Sequence, residues 1–530
     1  MTGHGLRRAA VICCCGVALR IWLALSGIQP MLVGAMELVV PSTSWERAQE
    51  GYFLGRLGLS HYAGGAFSGS PLMLAAVALC AMLPVAVQAL ATAVLFAVVD
   101  LTSALLLRAM CVRAVAVESC EWETQLEEWM DGDSKPPTAD PTSSKGAAPK
   151  SDLSVANTKH PTADGGDAAT SCGIPTVLSP ASGGDAPWDL PDIVLTAYLL
   201  NPIIAGQCAA LSGDVLGRVL PLAAMAAAGS RRPGVTAGAL AAAACLWRFY
   251  AASLLLPAAL MLGTISNGNG GAVMEKTGDT AEALAPASAP PEVFDPRYFK
   301  LDRKAFLRLS AAFAAWCAVF LGVCWLATSG SWAFLTAAAK GQLLCENLTP
   351  NIGLYWYFFA EVFPRFRGFF RVLFLSQPYM YVLPATLRLG MFPEALASLL
   401  LAIFGLFQPY PTLADPVIAG CLFLCHPRTS ARMRLVIPVG MAALVPALLL
   451  PTMRHLWLQA GTGNANFYYF QTVALNVLLS VLVLQFAAAL VKRRKALTMA
   501  FGKRRKALSA GAGIGGREGG VPVSMMEKDS

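Results

Sequence analysis

Two segments combine aromatic rings with polar side chains, which is the chemistry expected of a binding site at a membrane surface. The first, Tyr355–Glu361, reads YWYFFAE. Its candidate contact residues are Tyr355, Trp356, Phe358, Phe359 and Glu361. Aromatic side chains favour this interface because part of the ring system is apolar and part tolerates water. The run predicts either a wall against a lipid headgroup and its upper acyl chains, or an ordinary aromatic belt or packing surface for a partner.

The second segment is RHLWLQAGTGNANF, residues 454–467. Asn464 and Asn466 alternate beside glycines, and their amides both donate and accept hydrogen bonds, which suits sugar hydroxyls and phosphate oxygens. The alternative is a turn that uses Asn because this residue tolerates left-handed backbone geometry. His455 and Trp457 precede the loop and are either ligand contacts or structural residues. Arg454 is expected to pair with a lipid phosphate or to extend toward the interface.

The composition indicates a membrane protein rather than a soluble one. Of 530 residues, 56% are hydrophobic and 14% are charged, and the mean hydropathy is +0.55. Soluble proteins carry about 25% charged residues and lack the core volume to bury so much apolar surface. A bilayer solves this problem because its hydrocarbon is itself apolar. We therefore predict an all-α, polytopic membrane protein.

Several other classes of site have no sequence support. The fourteen cysteines lie mostly in apolar runs and show no metal-binding or redox spacing, and no partner for Cys345 is evident. There is no Walker A pattern or dinucleotide fingerprint. We predict no metal site and no cofactor in this chain. The two basic KRRKAL runs follow a span, so they are interpreted as membrane-flanking anchors rather than as a nucleic-acid site.

Because a spanning helix needs about 20 apolar residues, or about 17 at the short end, about twelve spans are predicted. They are residues 9–28, 87–110, 193–211, 216–230, 233–247, 249–265, 305–328, 368–387, 390–407, 413–425, 435–451 and 468–491. A further apolar stretch, residues 71–84, is expected to lie in the interface or to re-enter the membrane. With Arg7 and Arg8 in the cytosol, every short loop assigned to the cytosol carries Arg or Lys, as the positive-inside bias requires. Both termini are therefore predicted to be cytosolic.

Four segments of the chain resemble the U subunit of GPI transamidase (PIG-U). They are VVPSTSWERAQEG (39–51, continuing through HYAGGAFSGSPL), AYLLNP (197–202), LTPNIGLYWYFFAEVF (348–363), and the pair QPYPTLAD (408–415) and RHLWLQAGTGNANFYY (454–469). Their order and spacing match as well. The resemblance covers nearly all of the chain outside two low-complexity insertions and the extended basic tail.

This resemblance implies an endoplasmic reticulum membrane protein in a five-subunit complex. The complex cleaves a C-terminal signal and joins the new carboxyl end to the ethanolamine of a GPI glycolipid. Cysteine–histidine catalysis belongs to another, protease-like subunit, and the U subunit is expected to receive the lipid within a scaffold similar to GT-C glycosyltransferases. The expected partners are the GPI glycolipid, the other transamidase subunits and membrane lipids, with no nucleic acid. The match to the N-x-N-F segment makes Asn464 and Asn466 the first candidates for GPI contact.

The predicted spans and low-complexity segments divide the chain into six parts. They are N-terminal spans with the first lumenal loop (1–112), a disordered cytosolic insertion (113–190), membrane spans (191–265), a cytosolic linker (266–304), C-terminal spans with lumenal GPI-recognition loops (305–491) and a basic cytosolic tail (492–530). The two low-complexity segments are rich in small and polar residues, which cannot bury enough apolar surface to fold.

Several charged or polar residues near the predicted lumenal side invite a functional interpretation. Arg365, Arg367 and Arg371 depart from the charge bias and are expected to contact GPI phosphate or an acidic surface on another subunit. Asn347 lies in an Asn-Leu-Thr sequon and is a possible N-glycosylation site. Two further acids, Asp100 and Asp214, lie in or near spans and must be paired or hydrated.

A glycosyltransferase and a transporter are the two alternatives to this assignment. A GT-C mannosyltransferase using dolichol-phosphate mannose needs an acidic residue, often paired, in the first lumenal loop. That loop contains Glu37, Glu46 and Glu50 but no adjacent acidic pair, so Glu37 is either a relic of such a site or a substitute for it. A transporter would show internal repeats or polar residues meeting at the membrane midplane, and neither is evident.

Overall fold

The computed structural model describes residues 3–65, 67–118, 189–230, 234–267 and 301–515. Within this part of the chain the regular structure is helical, without strands, and one isolated antiparallel bridge joins Ser44 to Ser212. Residues 119–188 and 268–300, which make up most of the two predicted low-complexity parts, lie outside the described residues. The prediction of an all-α chain is therefore confirmed for the part that the structure describes.

The described helices are numbered in chain order. The first ten are α1 Gly3–Leu25, α2 Gln29–Val33, α3 Trp45–Arg56, α4 Pro71–Ala81, α5 Val85–Glu118, α6 Leu190–Leu199, α7 Pro202–Ala209, α8 Gly213–Gly229, α9 Gly234–Trp247 and α10 Leu255–Asn267. The next ten are α11 Arg303–Ala327, α12 Ala333–Gln342, α13 Tyr355–Glu361, α14 Pro364–Met380, α15 Val382–Leu389, α16 Pro393–Phe407, α17 Ala414–Leu424, α18 Pro427–Ser430, α19 Val436–Leu458 and α20 Ala465–Gly515. Short 3-10 turns lie at Pro41–Thr43, Ala63–Gly65 and Phe249–Leu254.

A helix or a pair of helices occupies each of the predicted spans, but their lengths differ. Five helical stretches are long and apolar enough to cross a membrane, namely Arg7–Leu25, Val85–Glu118, Arg303–Ala327, Val436–Leu458 and Ala465–Ala500. A sixth crossing results if α6 and α7, which meet at a bend of 47°, form one broken span. Several of the remaining apolar helices have 10 to 17 residues.

The bend between α6 and α7 follows from the LNP sequence at its centre. Pro202 has no amide hydrogen, so it fits the first turn of a new helix better than the interior of an old one. Asn201 caps that new helix, because its side-chain oxygen accepts hydrogen bonds from the amides of Ile203 (2.9 Å) and Ile204 (3.4 Å). The chain thus starts a fresh helix where an apolar run alone would predict a continuous one.

The long helices run up and down between two ends of the molecule. We call the end that carries Glu37, Tyr357 and Asn466 the upper end, and the end that carries Glu118 and Arg493 the lower end. Of the basic groups predicted to be cytosolic, three that the structure describes lie together at the lower end, namely Arg388, Arg428 and Arg494. Arg494 donates to the carbonyl of Arg388, and the amide of Arg428 donates to Glu118 (2.9 Å).

A buried charge cluster ties together the helices of the N-terminal half. Asp100 on α5 has a fully buried side chain, and its carboxylate accepts hydrogen bonds from Arg20 Nε (2.6 Å) and from the Tyr198 hydroxyl (2.6 Å). Arg218 on α8 approaches the same carboxylate (3.5 Å) and donates to the Tyr198 oxygen (3.0 Å). Arg218 also donates to the side chain of Gln207. The expectation that Asp100 is paired is therefore confirmed.

The second intramembrane acid, Asp214, is paired as well. Its carboxylate accepts a hydrogen bond from Arg248 (2.7 Å) and lies 3.4 Å from the Thr43 hydroxyl, so the end of α8 is joined to the first upper loop. A third buried group closes the lower end, where Arg493 pairs with Glu118 and the ring of His426 lies 3.8 Å from the same carboxylate. This network explains why α5 and α20 continue past the predicted boundaries at residues 112 and 491.

The first prediction concerns Asp100. In Asp100→Asn, the two arginines keep their charge in an apolar core but lose the counter-charge, which typically costs about 3–5 kcal/mol. We expect a clearly lower melting temperature of the detergent-solubilised protein, measured by fluorescence-detected size exclusion after heating. The matched control is Asp189→Asn, which makes the same change at an exposed helix cap with no capping bond. Equal melting temperatures for the two variants would contradict the assignment.

Candidate functional site

The upper end is organised by a close approach between two loop segments, LTPNIG and QPYP. Asn351 is buried and its side-chain oxygen accepts the Gly353 amide (2.6 Å), which forms a tight turn. A Cβ at Gly353 would lie 2.8 Å from the Pro411 ring, closer than real Cβ atoms approach other groups. Glycine is therefore required there, and α13 starts directly behind the QPYP loop.

One face of the short helix α13 forms an aromatic cluster with α19 and α20. The ring of Trp356 stacks on Trp457 (6.1 Å between centroids) and meets the edge of Tyr469 (5.9 Å). Tyr357 stacks on Tyr469 at 4.5 Å, and Tyr468 also lies beside Trp356. Two of the predicted residues, Trp356 and Trp457, are thus in direct contact, although Trp356 is buried rather than open to a ligand.

The other face of α13 packs on α14. Tyr355 and Phe359 are buried, and Phe358 meets the edge of Phe374 at 5.1 Å. The guanidinium of Arg371 lies 6.0 Å above the Phe359 ring. These predicted residues therefore pack within the chain and hold α13 against α14.

The two predicted asparagines have different local roles. Both are exposed. Asn464 precedes α20, and its side-chain oxygen accepts the amide of Phe467 (3.2 Å), so it caps the helix. Asn466 accepts a hydrogen bond from the Tyr357 hydroxyl, which joins the loop to the aromatic cluster. The exposed His455 contacts Gln459 on its own helix (2.5 Å).

The predicted charges after α13 lie farther along the same surface. Arg367 donates to the carbonyls of Val362 (3.1 Å) and Ala360 (3.4 Å), where the last turn of α13 leaves carbonyls without helical partners. Glu361 and Arg365 are exposed at the junction of α13 and α14. The exposed pair remains a candidate contact, whereas Arg367 has a structural role.

Arg454, which was expected to pair with a lipid phosphate or to extend toward the interface, pairs within the protein. Its Nε lies 3.1 Å from Glu37 Oε1, and its terminal nitrogen donates to the Gly34 carbonyl (2.8 Å). Glu37 is buried, with the Tyr468 hydroxyl 3.5 Å from the same oxygen. Its backbone carbonyl accepts the Leu413 amide (2.9 Å). Glu37 therefore fastens the first upper loop to the C-terminal helices.

A large apolar slot opens below the aromatic cluster, between α16, α17, α19 and α20. Its volume is about 1230 Å³. Leu475, Leu479 and Val483 line it from α20, and Pro416, Ala419 and Gly420 line it from α17. A Cβ at Gly420 would meet no atom within 4 Å, so this stretch of wall faces open space.

The slot joins the aromatic cluster directly. Ile352 and Leu475 line the slot and also pack in the cluster that contains Trp356 and Tyr468. Asn476 lies in the slot wall and donates to the Ile352 carbonyl (2.9 Å). None of the residues chosen from the sequence lines the slot itself. Most of the slot lining is apolar, and such residues carry no chemical signal in the sequence.

The Asn347 sequon and the neighbouring Cys345 both lie against the QPYP loop. The Asn347 side-chain oxygen accepts the amide of Thr349 (3.0 Å), and the Asn347 carbonyl accepts the Tyr410 hydroxyl (2.9 Å). Cys345 is fully buried and has a free thiol. Burial raises the pKa of the Cys345 thiol to about 11.

These features define an α-helical membrane protein with several spans and a large apolar slot, whose lining extends from Ile352 near the upper end to Arg434 toward the lower end. The chain belongs to the family of the GPI transamidase subunit PIG-U, whose family model matches residues 14–475.

Curated relatives with related names are similar over a shorter stretch. The mouse "GPI-anchor transamidase component PIGU" is 34% identical over 168 residues, which cover 32% of this chain and 39% of the relative. The "GPI transamidase component GAB1 homolog" of Schizosaccharomyces pombe is 36% identical over 161 residues, covering 30% of this chain and 40% of the relative. The chain thus aligns with about two-fifths of the length of these relatives.

The pair formed by Glu37 and Arg454 can be tested with a double-mutant cycle. We expect Glu37→Gln and Arg454→Gln each to lower the melting temperature, because each leaves one buried charge without its partner. The double variant should lose less than the sum of the two single losses, since neither charge then remains. Strictly additive losses in the thermal assay would mean that the two side chains do not interact.

A further prediction concerns the reactivity of Cys345. The thiolate is the nucleophile, and a thiol with a pKa of about 11 is ionised to well under about 0.1% near neutral pH. We expect maleimide to modify Cys345 far more slowly in the folded protein than a cysteine introduced by Glu346→Cys at the adjacent exposed position. Peptide mass spectrometry reads both sites. Comparable rates would show that Cys345 is accessible and ionised.

Proposed function

We propose that this chain is a non-catalytic membrane subunit of GPI transamidase, which binds the GPI lipid and presents it for attachment to proteins in the endoplasmic reticulum. Membership of the PIG-U family supports the assignment to that complex. Its partners are then the GPI glycolipid, the other subunits, including the catalytic cysteine-protease-like one, and the surrounding membrane lipids. Multi-pass insertion with both termini in the cytosol fits the meeting of basic loops at the lower end.

The apolar slot is the observation that carries this proposal. Its volume of about 1230 Å³ exceeds the roughly 300–1,000 Å³ of small-molecule pockets, so it suits something larger, such as acyl chains. The wall formed by α17 has 11 residues, which corresponds to about 16 Å at 1.5 Å per residue. The slot extends along the whole of this helix, from Thr412 before it to Ser430 beyond it.

The headgroup then lies at the upper end, next to the slot mouth. Asn464, Asn466 and His455 are exposed there, with Trp457 just beneath them. The amides offer donors and acceptors to sugar hydroxyls, and the hydrogen bond from Tyr357 fixes the orientation of Asn466. Arg365 and Glu361 extend this polar surface toward the phosphate or toward another subunit.

The architecture proposed with this function has about twelve spans in a GT-C-like arrangement, counting short and broken helices as crossings. The short helices α9 and α16 would then cross only part of the hydrocarbon, as helices of 14 and 15 residues do.

The proposal can be tested by filling the slot. Gly420→Phe puts a large ring into open space in the slot wall, so we expect acyl chains to be displaced. The matched control is Gly440→Phe, a glycine within α19 that also has no atom within 4 Å of its Cβ but does not line the slot. Native cells depleted of the protein are rescued with each variant, and GPI-anchored surface proteins and free GPI lipids are measured together.

We expect Gly440→Phe to rescue, and Gly420→Phe to leave anchored proteins low while complete GPI lipids accumulate. Asn464→Ala/Asn466→Ala should give the same block if those amides contact the headgroup. Full rescue by Gly420→Phe would rule out the slot as the lipid site. Accumulation of truncated, mannose-deficient lipids would instead favour the alternative, a GT-C mannosyltransferase, and Glu37 would be the first residue to test as its base.

A further inference from the structure

The helix α20 continues past the end of the predicted span at residue 491. We call residues 492–515 the basic arm, and at 1.5 Å per residue they correspond to about 36 Å of helix. The headgroup layer outside the hydrocarbon is only about 5–8 Å thick on each side of a bilayer. The arm is therefore too long to be covered by the membrane surface.

The arm contains the hexamer KRRKAL twice, at residues 492–497 and 503–508. The copies are 11 positions apart, which is three helical turns to within about 20°. Equivalent positions of the two copies therefore share one face of α20. No Asp or Glu occurs between residue 491 and Glu518, so the arm is basic along its whole length.

One face of the arm packs on the protein. Arg493 is buried, pairs with Glu118 at the end of α5, and stacks over the ring of Phe392 at 4.6 Å. Leu497 and Ala500 are buried beside the same ring. The start of the arm is thus fixed next to the end of α5.

The opposite face of the arm is exposed and carries cations without counter-charges. Lys492, Lys495, Met499 and Lys503 are exposed and follow one another at intervals of three or four positions, so they form one stripe along the helix. Among the described residues, no carboxylate lies within 4.0 Å of these three lysines. Like charges at such spacing repel one another, so the stripe favours an acidic partner.

An acidic segment of this chain follows α5 directly. The described part of α5 ends at Glu118, and residues 121–133 beyond it read EWETQLEEWMDGD. They contain six acidic residues, and no Lys or Arg occurs between Glu118 and Lys135. Because Glu118 pairs with Arg493, this segment leaves α5 at the start of the basic arm.

The spacing of the acids matches that of the exposed cations. Glu123, Glu127 and Asp131 recur every four positions, so a helical conformation would place them on one face. The first and the last of these acids are eight positions apart, as are Lys495 and Lys503. Eight residues of helix correspond to about 12 Å in both cases.

Apolar residues of the same segment form a second stripe. Trp122, Leu126, Trp129 and Met130 follow the i, i+4, i+7, i+8 pattern that predicts an amphipathic helix. This pattern distinguishes the segment from the rest of the insertion, which is rich in small and polar residues. The exposed Met499, between two of the lysines, offers an apolar contact within the cationic stripe.

The pairing of Glu118 with Arg493 also sets the register. Both α5 and α20 run from the upper to the lower end there, so positions equally far beyond the pair lie at similar depth. Glu127 is nine positions beyond Glu118, and Lys503 is ten beyond Arg493. The three residues from Ser119 to Glu121 span up to about 10 Å, which is about the diameter of a helix, so they can lead the chain around α20.

We propose that residues 121–133 dock on the exposed stripe of the basic arm, with their acidic face against Lys495 and Lys503. The charge complementarity, the matched spacing and the exit of the chain beside Arg493 carry this inference. It does not depend on the proposed function, because neither the segment nor the arm lines the slot.

The test uses the full-length protein in nanodiscs of phosphatidylcholine, whose headgroup has no net charge. Hydrogen–deuterium exchange is followed in residues 121–133, and a carbodiimide joins carboxylates to lysines that touch them. The variant that removes the acidic face is Glu123→Gln/Glu127→Gln/Asp131→Asn. The matched control removes three acids from the rest of the insertion and is Asp152→Asn/Asp164→Asn/Asp167→Asn.

We expect slowed exchange in residues 121–133 of the wild type and cross-links from this segment to the lysines of the arm. Both should be lost in the first variant and kept in the control. Salt at about 1 M, where the screening length is about 3 Å, should also speed the exchange. Wild-type exchange as fast as that of the first variant would overturn the proposal. Slow exchange that persists in the first variant would indicate attachment through the tryptophans and overturn it as well.

A charge swap tests the proposed partners directly. Lys495→Glu/Lys503→Glu should lose the protection, and adding Glu123→Lys/Asp131→Lys should restore both the protection and the cross-links. Both lysines are exposed, so the variants are expected to keep the wild-type melting temperature. Failure of the swap to restore protection would contradict the assigned partners. Light and heavy isotope-labelled copies are mixed before reconstitution, and cross-links that join light to heavy chains would overturn docking within one chain.

Discussion

The carboxylate of Asp100 is the interaction on which the rest of the structure depends. An ionised group without partners in an apolar interior is very costly, so the helices that carry Arg20, Tyr198 and Arg218 must converge on it. From there the hydrogen bonds continue through Gln207, which donates to Thr412 (3.0 Å). Thr412 in turn donates its amide to Asp415 (2.7 Å), in the wall of the slot. A single polar chain thus sets the position of both the N-terminal core and the loop above the slot.

The QPYP loop, whose position this polar chain fixes, lies between a polar cavity and the apolar slot. Successive residues face opposite ways, so Tyr410 borders a polar cavity while Pro411 borders an apolar one. The loop is fixed from the other side as well, because the Leu413 amide donates to the Glu37 carbonyl (2.9 Å). An amphiphile needs both environments side by side, and the slot alone would offer only one of them.

The helical class, the positions of the apolar helices and the need to pair Asp100 and Asp214 could be inferred from the sequence, because apolar runs and isolated charges follow strong physical rules. The helices within the upper loops, such as α3 and α12, were not predicted. Contacts between residues far apart in the sequence could not be inferred from it. Arg454 reads as a lipid-facing charge until its neighbour Glu37, more than four hundred positions away, is known. Asn464 reads as a ligand contact although it also caps α20. The slot has no signal of its own, because its walls consist of the same Ala, Leu and Val that face lipid or neighbouring helices elsewhere.

The continuity of α20 has a mechanical consequence. The helix has 51 residues from Ala465 to Gly515, which corresponds to about 76 Å at 1.5 Å per residue. It begins beside the asparagine loop, borders the slot, and is pinned near its middle, where Arg493 meets Glu118 and stacks over Phe392 (4.6 Å). A stiff rod held at an inner point acts as a lever with that point as its fulcrum. If the slot widened against the upper arm, the lower arm would swing in the opposite direction. A change in the width of the slot would then move the part of α20 that lies beyond Arg493.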